Sequence, residues 1–183
     1  MRGASASPCA GSLTLVAGAA AASLLLGGCG AGEAPAPTAH ATENGVTVTV
    51  TLLPGDGRGE QRLRATFAPR QPGFHVYGID LPDGGAAGAG IPTRLSVEGG
   101  LAAAGQPTAD REVVLLRPAG LTAALPVYPD GPVTFTLPVR RTPSRSAPRG
   151  ALRGADVVVS YGACGESRCL IPVRDKRIHL GLG

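Results

Sequence analysis

Residues 46–52 read Val-Thr-Val-Thr-Val-Thr-Leu, which puts Val46, Val48, Val50 and Leu52 on one side of an extended backbone and three threonines on the other. Successive side chains of a strand point to opposite faces, so this period of two predicts a half-buried β-strand. Residues 62–68 repeat the pattern, with Leu63, Ala65 and Phe67 inward, after a turn-forming Pro-Gly-Asp-Gly-Arg-Gly. Further strands are predicted over 73–79, 93–99, 111–117, 132–139, 155–162 and 176–182. Glycine and proline punctuate the intervals, and beyond residue 28 no segment carries a helical period. Many short strands without helices predict an all-β fold, an antiparallel β-sandwich, with a closed barrel as the alternative.

Composition narrows the kind of core. Hydrophobic residues make 43% of the 183-residue chain but aromatics only 3%, with no Trp, so the interior must be built from Val, Leu, Ile and Ala. The 28 Gly and 17 Pro approach the level seen in low-complexity chains, yet they are scattered as turns between strands.

The first 28 residues break the strand pattern. Arg2 is their only charge, and the apolar run Leu13–Leu26 ends in Leu-Gly-Gly-Cys. Small residues before a cleavage point mark a secretory signal. A Leu three residues before a Cys resembles the lipobox of bacterial lipoproteins, which implies lipidation of Cys29. An ordinary secretory signal or an anchor is the alternative, although the run is short and Gly/Ala-rich for a lasting span. The expected organisation is a signal segment over 1–28, a lipidated Cys29 with a Pro/Ala-rich flexible linker to residue 44, and a β-sandwich over 45–183. Such a protein sits at the extracytoplasmic face of the bacterial cell membrane, lipid-anchored. Removing Arg2 takes the formal charge from +4 to +3, too small to suggest nucleic acid. The basic stretch 140–154 could touch anionic headgroups, but a solvated loop explains it as well.

On that expectation, of four cysteines Cys9 would leave with the signal and Cys29 be spent on lipid, so that Cys164 and Cys169 would remain as a pair in an oxidising compartment. Should the flanking strands form a hairpin, the two face each other; Cα atoms of a non-hydrogen-bonded pair stand about 4.5 Å apart, within reach of a disulfide. In the chain-entropy model a crosslink closing about six residues contributes roughly 2 kcal/mol, against nearly 5 for a loop of about a hundred. The pair is therefore poorly placed as a staple. Gly162 and Gly165 suggest an open backbone beside Cys164. Arg168, Arg174, Lys176 and Arg177 would favour a thiolate, and Glu166 would oppose it. Spacing alone leaves a structural clip and a redox dithiol equally open.

The surrounding residues resemble a known family. Residues 159–173, Val-Ser-Tyr-Gly-Ala-Cys-Gly-Glu-Ser-Arg-Cys-Leu-Ile-Pro-Val, are similar to the active-site segment of the N-terminal domain of the bacterial thiol:disulfide interchange protein DsbD, with Tyr161, Cys164, Cys169, Leu170 and Pro172 at the matching positions. Residues 72–97 resemble that family's Gly-aromatic-His-aliphatic-Tyr and Gly-x-Pro-Thr region, and 127–139 the strand that precedes its active-site hairpin. The resemblance implies an immunoglobulin-like sandwich in which Cys169 exchanges with partner proteins, Cys164 resolves the mixed disulfide, and Tyr161 and Tyr77 line the site. It implies thioredoxin-like or other extracytoplasmic redox proteins as partners, and a membrane thiol-electron transporter acting in trans, because the family's membrane and thioredoxin-like domains have no counterpart in this sequence. Where the family places an aromatic cap, residues 102–126 contain no Phe, Tyr or Trp.

No cofactor is expected. Cys164, Cys169, His75 and His179 could together bind a soft metal only with the cysteines as thiolates, which a disulfide removes, and isolated strand histidines are more often surface or packed residues. Asp80, Asp83, Asp110, Asp130 and Asp156 show no pairing suited to hydrolysis, and no phosphate-binding or serine-hydrolase motif is present.

Overall fold

The computed structural model describes residues 34–56, 59–143 and 154–182. The expected signal segment, Cys29 and most of the basic stretch 140–154 lie outside these residues. The strands are β1 (Thr38–Glu43), β2 (Val46–Pro54), β3 (Glu60–Pro69), β4 (His75–Val76), β5 (Arg94–Gly99), β6 (Leu101–Ala103), β7 (Thr108–Ala109), β8 (Val114–Leu116), β9 (Leu125–Val127), β10 (Val133–Arg141), β11 (Gly154–Tyr161), β12 (Ala163–Cys164) and β13 (Val173–Gly181). Among the described residues there is no helix, and the ladders are antiparallel.

One sheet runs β1-β2-β3-β10-β6, with β7 also beside β10; a second runs β13-β11-β5. Their alternating apolar faces share one core. Val46, Val48, Val50 and Leu52 of β2, Leu63, Ala65 and Phe67 of β3, and Val133, Phe135, Leu137 and Val139 of β10 bury against Val157, Val159, Ile178 and Leu180 of the second sheet. The molecule is thus an all-β antiparallel sandwich. Its few aromatics stack in the middle: Phe67 meets Phe135 and Tyr161 edge to face at 5.3 and 5.5 Å, a favoured geometry for aromatic quadrupoles.

The linker expected to reach residue 44 is shorter, because Thr38–Glu43 form the edge strand β1. The inward positions are only Ala39 and Ala41, too small to register as apolar periodicity, while Thr38 and Thr42 meet Thr51 and Thr47 hydroxyl to hydroxyl across the ladder. Asn44 and Gly45, both at positive φ, supply the two-residue turn that pairs β1 with β2.

Two other expected strands shrink. Of 73–79, only His75–Val76 joins a ladder, but Tyr128 N–H donates to the Val76 carbonyl and Gly78 N–H to that of Pro126, so the segment stays extended. Of 111–117, only Val114–Leu116 pairs, with β9, and it does so beyond the main sheets.

Candidate functional site

The site begins where β11 stops. A register irregularity between Val159 and Tyr161 turns the chain out of the β11–β13 ladder, and Ala163–Cys164 pair instead with Val76 and His75 of β4. Cys164 and Cys169 then face each other as an antiparallel bridge. Gly165 N–H donates to the Arg168 carbonyl and Leu170 N–H to that of Ala163, the bonding that flanks a non-hydrogen-bonded pair. The two cysteines are joined as a disulfide, with Cα atoms 3.9 Å apart.

The two sulfur-bearing residues differ in access. Cys164 is 6% exposed and packs with Tyr77, Leu81, Leu125 and Val127, whereas Cys169 is exposed at the tip side of the hairpin. The phenolic oxygen of Tyr77 lies 3.0 Å from Cys164 Sγ. A disulfide sulfur carries no proton, so the hydroxyl donates. Burial pushes the Tyr77 phenol above its ordinary value, which keeps that donor protonated. The Tyr77 carbonyl in turn accepts the Thr93 hydroxyl at 2.6 Å, within the Gly-Ile-Pro-Thr stretch.

A cavity of about 940 Å³ opens beside the pair. Leu116, Pro118, Ala119, Leu125 and Val127 of the β8–β9 hairpin form an apolar wall; His75, Asp130, Glu166 and Arg168 supply the polar side. His75 Nδ1 lies 3.2 Å from Asp130 Oδ1. The Arg168 guanidinium sits 5.6 Å from the centre of the Phe74 ring and bonds Gln71. The segment 102–126 thus delivers its aliphatic β8–β9 hairpin to the flank of Cys164, with Val114 and Leu115 exposed on its outer side.

The structure brings together Cys164, Cys169 and Tyr77, and it separates Tyr161 and Pro172 from them. Tyr161 is buried in the main core, stacked on Phe67, with its hydroxyl donated to the Glu43 carbonyl at 3.0 Å. Burial, with a smaller contribution from Glu43, raises its phenol to about 12. Pro172 is exposed and does not line the cavity. Leu170 packs against the Asn44–Gly45 turn, so the unforeseen β1 hairpin braces both ends of the cysteine loop.

The charges expected around the sulfurs are mostly engaged elsewhere. Lys176 pairs with Glu43 at 2.7 Å, and Arg177 with Glu98 and Asp156, which leaves Arg168 as the cation lining the cavity among the described residues. His179 is exposed and 3.0 Å from Asp156, outside the cavity, so it does not join the cysteines. The glycines are not an open backbone either: a Cβ on Gly162 would stand 3.1 Å from Ile91 and 3.2 Å from Tyr77, and one on Gly165 3.0 Å from Phe74. They allow side chains to close over the loop.

Asp130, Phe74 and the aliphatic wall were not assigned to the site from sequence. The alternation of Phe74, Val76 and Gly78 against His75 and Tyr77 does place the latter two on one strand face, but nothing in Pro-Asp-Gly reveals what Asp130 touches. Comparison with family models, curated proteins and solved structures finds no match to this chain.

Proposed function

We propose that the chain is a thiol–disulfide exchange domain, lipid-anchored through Cys29 at the extracytoplasmic face of the membrane, that passes reducing equivalents through Cys164 and Cys169 to partner proteins. In the reduced state the Cys169 thiolate attacks a partner disulfide, and Cys164 then displaces the partner and closes the internal disulfide. Reduction comes from a membrane thiol-electron transporter or a thioredoxin-like carrier; the partners reduced are other extracytoplasmic redox proteins.

The observation that carries this reading is the unequal burial of the pair at the cavity mouth. An exchanging sulfur must be reachable in line by a second protein, and a resolving sulfur must be shielded from it; Cys169 is exposed and Cys164 is buried behind it. A structural clip is the competing reading. It is disfavoured because the short loop is already closed by two backbone hydrogen bonds, and a crosslink over so few residues adds only about 2 kcal/mol.

The test is to express the full chain as Cys164→Ser and Cys169→Ser in its native host and resolve disulfide-linked adducts on non-reducing gels. The proposal expects adducts with Cys164→Ser and none with Cys169→Ser. Absence of adducts from both variants contradicts it.

A further inference from the structure

His75 and Asp130 form a pair that the exchange reading above does not use. His75 stands directly across the β4–β12 ladder from Cys164, and such cross-strand neighbours have Cβ atoms about 4.5–5.5 Å apart on the same face. Tyr77, two residues on, occupies that face too, with its ring 6.3 Å from the imidazole and its hydroxyl on Cys164 Sγ. Nδ1 is held by the Asp130 carboxylate at 3.2 Å. His75 is 8% exposed, yet among the described residues every fully buried side-chain nitrogen or oxygen has a partner, and no bond engages Nε2. His75 lines the cavity that both cysteines line. A carboxylate on one ring nitrogen fixes the tautomer and the orientation of the ring.

We propose that His75, oriented by Asp130, is the acid–base partner of Cys164 in the resolving step, an assignment that rests on the exchange reading. The mixed disulfide joins Cys169 Sγ to a partner sulfur, with Cys164 as a thiol. His75 Nε2 takes the Cys164 proton; the freed sulfur attacks Cys169 Sγ, the Cys164–Cys169 bond forms, and the Cys169–partner bond breaks. The departing partner thiolate receives the proton back from the imidazolium. Two electrons leave the Cys164–Cys169 dithiol and reduce the partner's disulfide to two thiols.

The groups facing His75 are consistent with this role. Tyr77 lies on its own strand, Cys164 on β12, Asp130 on the β9–β10 connection, and Glu166 and Arg168 on the cysteine hairpin. Arg111 approaches the backbone carbonyl of Asp130 at 3.5 Å. The β8–β9 wall of Leu116, Leu125 and Val127 contributes no titratable group, and of the groups on the other side His75 is the one directly across the ladder from Cys164.

The test uses the reduced full chain and dithiobis-nitrobenzoate, whose coloured thiolate leaves without needing a proton. A first release reports attack by Cys169, and a second reports resolution by Cys164. His75→Gln is expected to slow the second release about a hundredfold near neutral pH, to leave the first unchanged, and to converge with the parent at alkaline pH where the thiol ionises unaided. Asp130→Asn, on an exposed turn and less prone to disturb folding, is expected to slow the same phase by a smaller factor. A second release unchanged in rate and pH profile in either variant overturns the assignment. Failure of the parent protein to give a second release would instead overturn the exchange reading itself.

Discussion

Tyr77 and Cys164 lie 87 positions apart in the chain and meet at 3.0 Å, phenolic oxygen to Sγ. This contact joins the extended segment after Gly73 to the cysteine hairpin, and it sets one face of the sulfur against a hydrogen-bond donor. Such a donor stabilises a thiolate more than a disulfide sulfur, because the charged acceptor makes the stronger bond. Tyr77→Phe should therefore make the Cys164–Cys169 couple more reducing, its potential falling by roughly 10–30 mV. Equilibration with a series of thiol–disulfide buffers measures this; an unchanged or raised potential contradicts the role given to the hydroxyl.

The position of that tyrosine depends on Gly162, whose missing Cβ makes room for the Tyr77 ring and Ile91. Gly162→Ala should destabilise the domain by about 1–2 kcal/mol through overpacking. Urea unfolding reads the loss, and the same variant should show the potential shift of Tyr77→Phe.

Unequal access predicts an order of modification. In the reduced protein Cys169 should be alkylated by iodoacetamide before Cys164, as peptide mass spectrometry of brief exposures would reveal. Leu125 is 4% exposed and shields Cys164 from one side. Leu125→Ala should speed labelling of Cys164 with little change at Cys169, and should cost about 2–4 kcal/mol of stability.

Tyr161 gives a pH dependence. Its phenol is raised to about 12 in the folded protein, against about 10 in an unfolded chain. The folded state therefore keeps a proton that the unfolded state releases. The associated stability is fully present below about pH 10 and is lost as pH climbs toward 12. Tyr77 and Tyr128 are also raised by burial and contribute in the same direction. Tyr161→Phe should flatten this alkaline decline while costing about 1 kcal/mol at neutral pH, through the lost bond to the Glu43 carbonyl. Thermal unfolding from pH 8 to 11 compares the two proteins.

The sandwich was legible in the sequence wherever large aliphatic side chains alternate: Val46 to Leu52, Leu63 to Phe67 and Val133 to Val139 fall inside as their period requires. β1 escaped notice because Ala39 and Ala41 bury too little surface to mark a face; the Asn44–Gly45 turn was the overlooked signal. At the site, the opposition of Cys164 and Cys169 followed from hairpin spacing, and Tyr77 from the family resemblance of residues 72–97. Tyr161 was expected beside the cysteines on the family resemblance of residues 159–173. A bulge after Val159 and the exit of β12 toward β4 instead leave its ring in the main core. Asp130 and the aliphatic wall come from segments whose placement depends on non-local pairing with β4 and β8, which local pattern does not encode.

Whether Cys164 and Cys169 exchange electrons with partners is decided by the reduction potential of their couple in the purified protein. An exchanging pair has a value above about −300 mV, in the range of working dithiols, whereas a potential well below about −300 mV would identify a structural disulfide and overturn the exchange reading.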